Sequence, residues 1–523
     1  MLASFFAFAT PVLRSLVVRT LIHVLRWVYT PLDDLLKRLG KSPGIPIPNP
    51  TSSYWAQPAS PLAQRNSDPS VALPDEADIV IIGSGITGTS FAREILDRSA
   101  GNHVQGEPLR IVMLEARDAC SGATARNGGH ITPVLYQDYV GLKEKHGKDM
   151  AVKIIRFRLS HLTQLLAVAK EENLLDDSQC RQVDSFDVFH DKNLFRQAKS
   201  WLREYQEDLP EESANYKVYE SPEQQCSFQN PLLAVSPHLL ASVHPYRLVT
   251  GVLARLLNSY QTNFELFTNT PCTDIKASDS DLDHYVVETP RGCIRARHVV
   301  HATNGWASHL LPGMRGKIFP ARGVMTAQVP REGLGCVSSA SSQELKEPKQ
   351  LPPARSWTGT RSFVFYPGSS VGVYDYLTQQ LPSGSCASSS YPPPNGELML
   401  GGGFSHAVVA DVGNANDSQW NPTVSDYLRQ ALGTYFSVKR NGEKEEREEV
   451  KATLTDWTPS GEWIAAGYTG EGMVHAWMSG KALASMVLGQ EGETEPWFPE
   501  VFRVTEERWR NASFEGFVGS YIG

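Results

Sequence analysis

Three glycines in the stretch ADIVIIGSGITGTSFAREIL have the spacing of a phosphate-binding loop. Gly83, Gly85 and Gly88 form the pattern G-x-G-x-x-G directly after an apolar run and directly before a helical pattern. The first glycine makes the tight turn, the second lets the backbone approach a pyrophosphate, and the third lets the helix pack closely on the sheet. The helix start, at Ile86 and Thr87, then offers unpaired N–H groups and a partial positive charge. The spacing therefore predicts a dinucleotide-binding loop.

Glu115 is the candidate partner of this loop. It lies near the end of the second predicted strand, LRIVMLEA (109–116), where a carboxylate would accept hydrogen bonds from the ribose hydroxyls of adenosine. It follows Gly88 by 27 residues, more than the usual interval, and the turn-like residues 100–108 account for the excess. A lone glycine triplet is also typical of an ordinary strand-to-helix turn. The strand, the helix and the acidic residue together favour the dinucleotide.

Three later stretches favour a flavin over a nicotinamide. Residues 116–131 (ARDACSGATARNGGHI) are mostly small residues and glycines, which suit a backbone that runs close along a flat ligand. Residues 297–312 predict a strand that ends in a small-residue turn. Residues 461–489 predict a strand, a glycine turn and a helix whose amino end faces the ligand. A second glycine fingerprint for NAD(P)H is missing, because no amphipathic helix follows GELMLGGG (396–403).

With these motifs in this order, the sequence resembles the D-amino-acid-oxidase-like (DAO) family of FAD-dependent oxidoreductases. Its closest likeness is to a fungal branch that carries PIPNPTSSYW ahead of the glycine loop. The resemblance covers residues 44–490, and its motifs are specific for the superfamily but not for a substrate. It implies FAD as the cofactor. The residues that the resemblance places around FAD are Gly83, Gly85, Ile86, Thr87, Gly88, Glu115, Ala116, Arg117, Ala125, Arg126, Asn127, Gly128, Gly129, His130, Thr303, Asn304, Gly470, Glu471, Gly472 and Met473.

The resemblance also implies the architecture. The expected fold is α/β with an α+β substrate region, in which a Rossmann-like FAD-binding domain is interleaved with a substrate domain built on an antiparallel or mixed sheet. Helical periodicity at 147–174 and the strand–turn–helix–strand pattern around the glycines agree with this class. The expected segments are an N-terminal amphipathic or targeting segment (1–40), a Pro-rich arm (41–76), FAD-binding parts (77–135, 241–320 and 451–490), substrate parts (136–240 and 321–450) and a C-terminal tail (491–523).

The chemistry implied by the resemblance is amine oxidation. In this family a C–H beside an amine nitrogen delivers a hydride to the flavin, which gives an imine that water hydrolyses. Arg322 matches an arginine that would bind a substrate carboxylate, and Tyr374 and Tyr376 match a strand that lines the substrate side. Each of these three side chains is equally open to a packing role. The expected partners are a small amine or amino-acid-like substrate, and either dioxygen or an electron carrier as oxidant.

FAD is expected to bind without a covalent bond. Some members of the superfamily bond FAD through a histidine in the loop that here reads GATARNGGH, and that position falls on Arg126. His130 is the only nearby alternative, and a hydrogen-bonded role within the loop is favoured for it.

Charge and cysteine usage narrow the other partners. The chain has 49 basic and 57 acidic residues, a net charge of -8 and no basic run, which argues against nucleic acid. The seven cysteines are scattered and never spaced as C-x-x-C, so neither a disulfide framework nor a metal site is predicted. This usage favours a reducing compartment.

The amino terminus has its own pattern. Residues 1–32 carry no acidic side chain, and the phasing of their basic residues predicts either an interfacial amphipathic helix or a basic transit peptide. A helix packed on its own domain is the alternative. The expected location is the cytoplasm or a membrane surface that faces a reducing compartment, with targeting to an organelle as the other outcome.

One departure from the family pattern lies between Trp457 and Trp463. Family members carry an additional strand and a turn with glycine and proline there, next to the flavin, whereas this chain has five residues. A real deletion would remove part of the flavin floor. A shortened working variant, a faulty gene prediction and a non-catalytic binding protein that keeps the dinucleotide fold are the alternatives.

Overall fold

The computed structural model describes residues 30–101, 108–220, 233–236, 240–278, 283–329, 361–381, 396–436 and 461–512. The expectations for residues 1–29 and for the short connection after Trp457 lie outside the described residues. Within these ranges, no helix is long and apolar enough to cross a membrane.

Helices and strands alternate along the described chain. In chain order the α-helices are α1 Thr30–Leu39, α2 Ile86–Gly101, α3 Tyr136–His146, α4 Lys148–Glu171, α5 Leu175–Ser178, α6 Lys192–Asp208, α7 Pro245–Ser259, α8 Ala307–Leu310, α9 Val408–Asp411, α10 Pro422–Tyr435, α11 Ala476–Val487 and α12 Glu506–Asn511. The strands are β1 Glu76–Ile82, β2 Ile111–Leu114, β3 His130–Ile131, β4 Arg181–Phe189, β5 Lys217–Tyr219, β6 Leu233–Ser236, β7 Leu240–Ser242, β8 Phe264–Phe267, β9 Asp274–Ala277, β10 Tyr285–Thr289, β11 Gly292–His301, β12 Val324–Gln328, β13 Arg361–Tyr366, β14 Asp375–Gln379, β15 Leu398–Gly402 and β16 Glu462–Ile464.

The first sheet carries the glycine loop at the end of its central strand. Among the described residues it has seven strands in the order β8–β2–β1–β11–β10–β9, and β16 pairs with the end of β11. Strands β8, β2, β1, β11 and β16 run parallel, whereas β10 is antiparallel to both of its neighbours. Residues 79–82 of β1 are all buried, as expected for a central parallel strand that is covered on both faces.

The second sheet is mixed and has nine strands within the described ranges. Its order is β12–β15–β14–β13–β4–β6–β5, while β7 pairs with β4 and β3 pairs with β7. Strands β13 and β4 are parallel, and the other pairs are antiparallel. Helix α10 covers one face, where it packs on Phe363 and Phe365. On the opposite face, Phe189, Val364 and Tyr366 belong to a second buried cluster, which includes side chains of α3, α4 and α6.

The two sheets alternate along the chain, which confirms the expected interleaved α/β fold. Strands β1 and β2 belong to the first sheet, β3 to β7 to the second, β8 to β11 to the first, β12 to β15 to the second, and β16 to the first. The residue boundaries of the domains stay a prediction.

Individual elements follow the sequence patterns closely. The periodic residues 147–174 form α4, and the helix after the glycine loop is α2. The Pro-rich arm has no helix or strand before β1 begins at Glu76, because proline lacks the N–H that both structures need. In α1, Leu35 and Leu39 are buried against Val412, so this described end of the N-terminal segment packs on the protein itself.

Candidate functional site

The glycine loop is shaped by close backbone contacts. Gly83 has φ of 110°, and a Cβ there would lie 2.6 Å from the carbonyl oxygen of Ala302. A Cβ on Gly88 would lie 2.1 Å from the carbonyl oxygen of Gly83. At Gly85 a Cβ would meet only the Thr124 hydroxyl, at 3.1 Å, so this position is largely open. Two glycines thus serve the fold, and the open one leaves room for a ligand to approach the backbone.

Glu115 lies beside this loop, as predicted. Its Oε2 accepts hydrogen bonds from the Ser84 N–H at 3.1 Å and the Ser84 hydroxyl at 2.7 Å, and its Oε1 accepts one from the N–H of Arg117 at 3.1 Å. A carboxylate has about four lone-pair positions, so acceptor capacity remains for ribose hydroxyls. Hydrogen bonds from Ser84 and from the backbone just after Ala116 therefore hold the Glu115 carboxylate near the start of α2.

The turn after β11 lies next to the same loop, because the Ala302 N–H donates to the Ile82 carbonyl at 2.9 Å. Thr303 follows it, and its buried hydroxyl has no hydrogen-bond partner in the described structure. Asn304 adopts a left-handed conformation with φ of 46°. A buried polar group without a partner is costly, so the Thr303 hydroxyl suits a ligand that supplies one. A dinucleotide fits this arrangement, which combines the tight turn at Gly83, the Glu115 carboxylate and the unpaired Thr303 hydroxyl.

The loop at 125–130 is wedged between β7 and β14. Gly129 has φ of 69°, and a Cβ there would lie 2.2 Å from the Val243 carbonyl oxygen. A Cβ on Gly128 would lie 2.7 Å from the ring of Tyr376. The Asn127 side chain closes the turn by accepting a hydrogen bond from the Gly129 N–H at 2.7 Å. The glycines therefore bring the loop backbone directly against the strand of the predicted substrate side.

The Pro-rich arm holds this loop from outside. The Arg126 guanidinium donates to the hydroxyl and the carbonyl of Thr51 at 2.8 and 2.7 Å. The Ser53 hydroxyl donates to the Ala125 carbonyl, and the Trp55 indole N–H donates to the Asn127 carbonyl at 2.5 Å. The guanidinium of Arg126, at the position where the resemblance places a covalent attachment in some members, is thus hydrogen-bonded to the arm.

Arg117 joins the arm to a third segment. Its guanidinium pairs with Asp417 at 2.9 Å and lies 5.7 Å from the centre of the Trp306 ring. The Asp417 carbonyl in turn accepts a hydrogen bond from the Thr51 N–H at 2.7 Å. Only the main-chain N–H of Arg117 contacts Glu115, so the side chain serves this junction.

A cavity of about 1350 Å³ opens where the two sheets meet. Eight of the predicted site residues line it, and they come from three separate parts of the chain. They are Asn127, Gly128, His130, Tyr374, Tyr376, Gly470, Glu471 and Met473. The other predicted residues, including the glycine loop, Glu115, Thr303 and Gly472, are not part of this lining. Tyr468 connects the two regions, since it lines the cavity and its hydroxyl lies 3.0 Å from the hydroxyl of Thr87 in α2.

His130 and Tyr376 form one wall of the cavity. Their rings are edge to face with centres 5.1 Å apart. His130 Nδ1 lies 3.2 Å from the Ser362 hydroxyl, and its Nε2 has no hydrogen-bond partner among the described residues. Burial lowers the pKa of His130 to about 3 and raises the pKa of Tyr376 to about 12. Both rings are therefore neutral at physiological pH.

Arg322 lies apart from this wall and does not line the cavity. Its guanidinium pairs with the buried Asp411 at 2.6 Å and donates to the carbonyls of Asn416 and Gln419, both at 3.1 Å. The substrate role implied by the resemblance has no counterpart in this arrangement, because the cation is held by the last residue of α9 and by carbonyls of the segment that follows.

Several lining residues are absent from the sequence prediction. Arg158 of α4 donates to Asp138 at 2.9 Å and lies 3.7 Å from Glu471. Burial raises the pKa of Glu471 to about 7 although Arg158 opposes the shift. The fully buried His301 is the last residue of β11, and its Nε2 lies 2.6 Å from Glu462, the first residue of the parallel strand β16. Ligands bind outside the carboxyl ends of such strands, so this rule could have pointed to His301.

Two kinds of comparison bear on the identity of the fold. The sequence profile named DAO, FAD dependent oxidoreductase, matches residues 78–486. The chain belongs to the DAO family of FAD-dependent oxidoreductases. No curated protein matches it significantly in sequence.

Solved structures with low sequence identity share the DAO fold. The L-amino acid deaminase from Proteus myxofaciens, solved with anthranilate, has a TM-score of 0.52 and 16% identity, covering 89% of this chain and 98% of its own. Iminodiacetate oxidase from Chelativorans sp. BNC1 has a TM-score of 0.52 and 15% identity, covering 80% and 98%. L-proline dehydrogenase from P. horikoshii has a TM-score of 0.50 and 15% identity, covering 80% and 94%. At this identity they support the fold alone.

Proposed function

We propose that this DAO family member binds FAD without a covalent bond and oxidises a carbon beside an amine nitrogen in a small amine or amino-acid-like molecule. The observation that carries the proposal is the cavity that is lined together by Asn127, Gly128 and His130, by Tyr376, and by Gly470, Glu471 and Met473. FAD, when bound, accepts the hydride from that carbon, and water hydrolyses the resulting imine. Dioxygen or an electron carrier would then take the electrons.

The residues that would hold FAD divide into two sets. Gly85, Thr87 and Glu115 would bind the pyrophosphate and the ribose at the start of α2. The backbone of residues 127–130 and the turn at 470–473 would position the ring system at the cavity. Non-covalent binding of FAD is supported by Arg126, whose side chain donates hydrogen bonds to Thr51 and to the Ser121 carbonyl.

The chain's own contribution to the reaction is orientation and desolvation. His130 and Tyr376 present a neutral aromatic wall, which favours a neutral amine over a hydrated ammonium. The names of the three similar structures refer to amino acids and iminodiacetate, in which a nitrogen lies next to an oxidisable carbon. These names support the proposed substrate class.

The visible spectrum of the purified protein tests the proposal. We expect a yellow protein that releases its flavin on acid denaturation and whose flavin bleaches when amines are added without oxygen. A protein that stays colourless with added FAD would refute FAD binding. A bound flavin that no amine reduces would instead favour the non-catalytic alternative.

A further inference from the structure

The face of the second sheet that lines the cavity carries side chains in aligned rows. In β13, Val364 pairs with Asp187 of β4 on one side and with Tyr376 of β14 on the other. Directly paired residues project to the same face, so these three side chains form one row. Neighbouring strands lie about 4.8 Å apart, which places the backbones at Asp187 and Tyr376 roughly 10 Å apart. All three residues line the cavity.

The adjacent row fixes which end of this line faces the loop at 125–130. It consists of Ser362 and the residues paired with it, Ser185 and Thr378. The Thr378 hydroxyl donates to the Gly128 carbonyl at 2.6 Å, and the Ser362 hydroxyl lies 3.2 Å from His130. Tyr376 is thus at the end of the row beside the proposed flavin site, and Asp187 is at the far end.

Asp187 is a buried carboxylate that only neutral groups contact. It is 5% exposed, and its Oδ2 accepts a hydrogen bond from the Gln137 amide at 2.9 Å. The same amide nitrogen lies 3.1 Å from the hydroxyl of Tyr366. Among the described residues no cationic side chain pairs with Asp187. A buried charge is normally paired, so this carboxylate lacks the partner that its ionised form needs.

One cationic side chain that lines the cavity, Arg158, already has its charge compensated. Arg158 donates to Asp138 and lies close to Glu471, so two carboxylates compensate one guanidinium. Without a cation, burial raises the pKa of Asp187 to about 7. A bound cation would favour the ionised carboxylate and gain a charge-assisted hydrogen bond. The missing partner of Asp187 therefore matches a charged group on a ligand.

We infer that Asp187 binds a second, cationic group of the substrate, so that the preferred substrates are amines that carry a further ammonium or guanidinium several bonds from the oxidised carbon. This inference rests on the proposed function. Tyr376 and His130 would face the reacting amine, and Asp187 with Gln137 would hold the distal cation. The row spacing sets the length of the substrate.

Calorimetric titration of the FAD-loaded protein with a matched pair of probes tests this assignment. A straight six-carbon diamine and hexylamine differ only in the distal ammonium. We expect the wild type to bind the diamine about tenfold or more tightly than hexylamine. Asp187→Asn should remove this preference by weakening diamine binding alone. Equal binding of both probes to the wild type would overturn the inference.

Two controls distinguish a specific cation site at Asp187 from a general effect of the carboxylates in the cavity. Asp138→Asn alters a cavity carboxylate that already has a cation, and it should keep the preference for the diamine. A preference that survives in Asp187→Asn, with the melting temperature unchanged, would also overturn the inference. Flavin bleaching distinguishes the two proposals. If the diamine binds through Asp187 but neither probe reduces the flavin, the proposed oxidation fails while the cation site stands.

Discussion

The glycine loop of the first sheet and the cavity face of the second sheet are built by different means. At the glycine loop, backbone atoms a few residues apart exclude any side chain at Gly88. On the cavity face, side chains from β4, β13 and β14 meet although their residues are far apart in sequence. The proposed cofactor end is therefore specified locally, whereas the proposed substrate end depends on the register of distant strands.

The largest effects are expected from substitutions of the glycines in the loop. Gly88→Ala forces a Cβ to within 2.1 Å of the Gly83 carbonyl oxygen, and we expect it to destabilise the FAD-free protein by about 3 kcal/mol and to abolish flavin binding. Gly85→Ala meets only one hydroxyl, so it should leave the melting temperature of the FAD-free protein nearly unchanged. It should nevertheless weaken FAD binding about a hundredfold, because the methyl group fills the space of the approaching ligand.

Melting curves and a fluorescence titration with FAD measure both effects. Normal FAD affinity in Gly85→Ala would show that the loop does not contact the pyrophosphate.

Arg322 tests the substrate end. Arg322→Ala leaves the buried Asp411 without its cation, and we expect a loss of about 3 kcal/mol in the free energy of unfolding. Arg322→Lys keeps the charge but loses the two hydrogen bonds that one guanidinium nitrogen donates to the carbonyls of Asn416 and Gln419, so it should lower the free energy of unfolding by about 1 kcal/mol. Urea unfolding checks both values. A raised KM for amino acids in Arg322→Lys, without any loss of stability, would instead support the substrate role that the resemblance implies.

Trp55 tests the arm that contacts the loop between the two regions. Trp55→Phe removes the indole N–H that donates to the Asn127 carbonyl but keeps most of the buried ring. We expect FAD binding to weaken about fivefold and the free energy of unfolding to fall by about 1 kcal/mol. Titration with FAD is the decisive measurement. Ser52→Ala alters the arm at an exposed position and serves as the control. Unchanged FAD affinity in Trp55→Phe would limit the arm to a purely structural role.

The effect that is smallest at neutral pH concerns the seam between α4 and α11. His161 is fully buried, its Nδ1 lies 3.0 Å from the Phe157 carbonyl oxygen, and its Nε2 accepts from the Met478 N–H at 3.3 Å. Burial lowers its pKa from 6.5 to about 4, so between these pH values only the unfolded chain gains the proton. This contribution to stability is complete above pH 6.5 and is lost as the pH falls toward 4.

Comparison with His161→Gln isolates that contribution. The stability difference between the wild type and the variant should shrink by about 1.4 kcal/mol per pH unit below pH 6.5. His475→Gln should change the profile in the same direction, because burial also lowers the pKa of His475, to about 3. A difference that is constant with pH would show that folding does not lower the pKa of His161.

Sequence patterns predict the proposed cofactor end because its signals are local. The glycine spacing, the position of Glu115 at a strand end and the helix after Gly88 all follow from backbone geometry within one strand–turn–helix unit. The same reasoning predicted the loop at 125–130 through its small residues. What it could not predict is that Arg126 contacts the arm, since that contact joins residues 75 positions apart.

The substrate end was harder for a physical reason. Asp187 stands in the strand pattern SFDVF, where only strand pairing reveals which residues share its face. Arg158 appears in the sequence as one more charge on an amphipathic helix. Arg322 and Asp411 are 89 positions apart, so their ion pair carries no local signal. The contacts of these residues depend on pairing between distant parts of the chain, which local sequence patterns do not predict.

Alternation along the cavity strands separates two evolutionary tasks. Residues 185, 187 and 189 of β4, and every second residue of β13 and β14, face one side, while the intervening residues such as Phe363 and Phe365 pack against α10. Phe189, Val364 and Tyr366 of the first set also belong to a buried hydrophobic cluster, so an exchange that alters specificity without disturbing the sheet is confined to the polar members of that set. New specificities would arise from substitutions two positions apart, and the yellow cofactor would stay in place throughout.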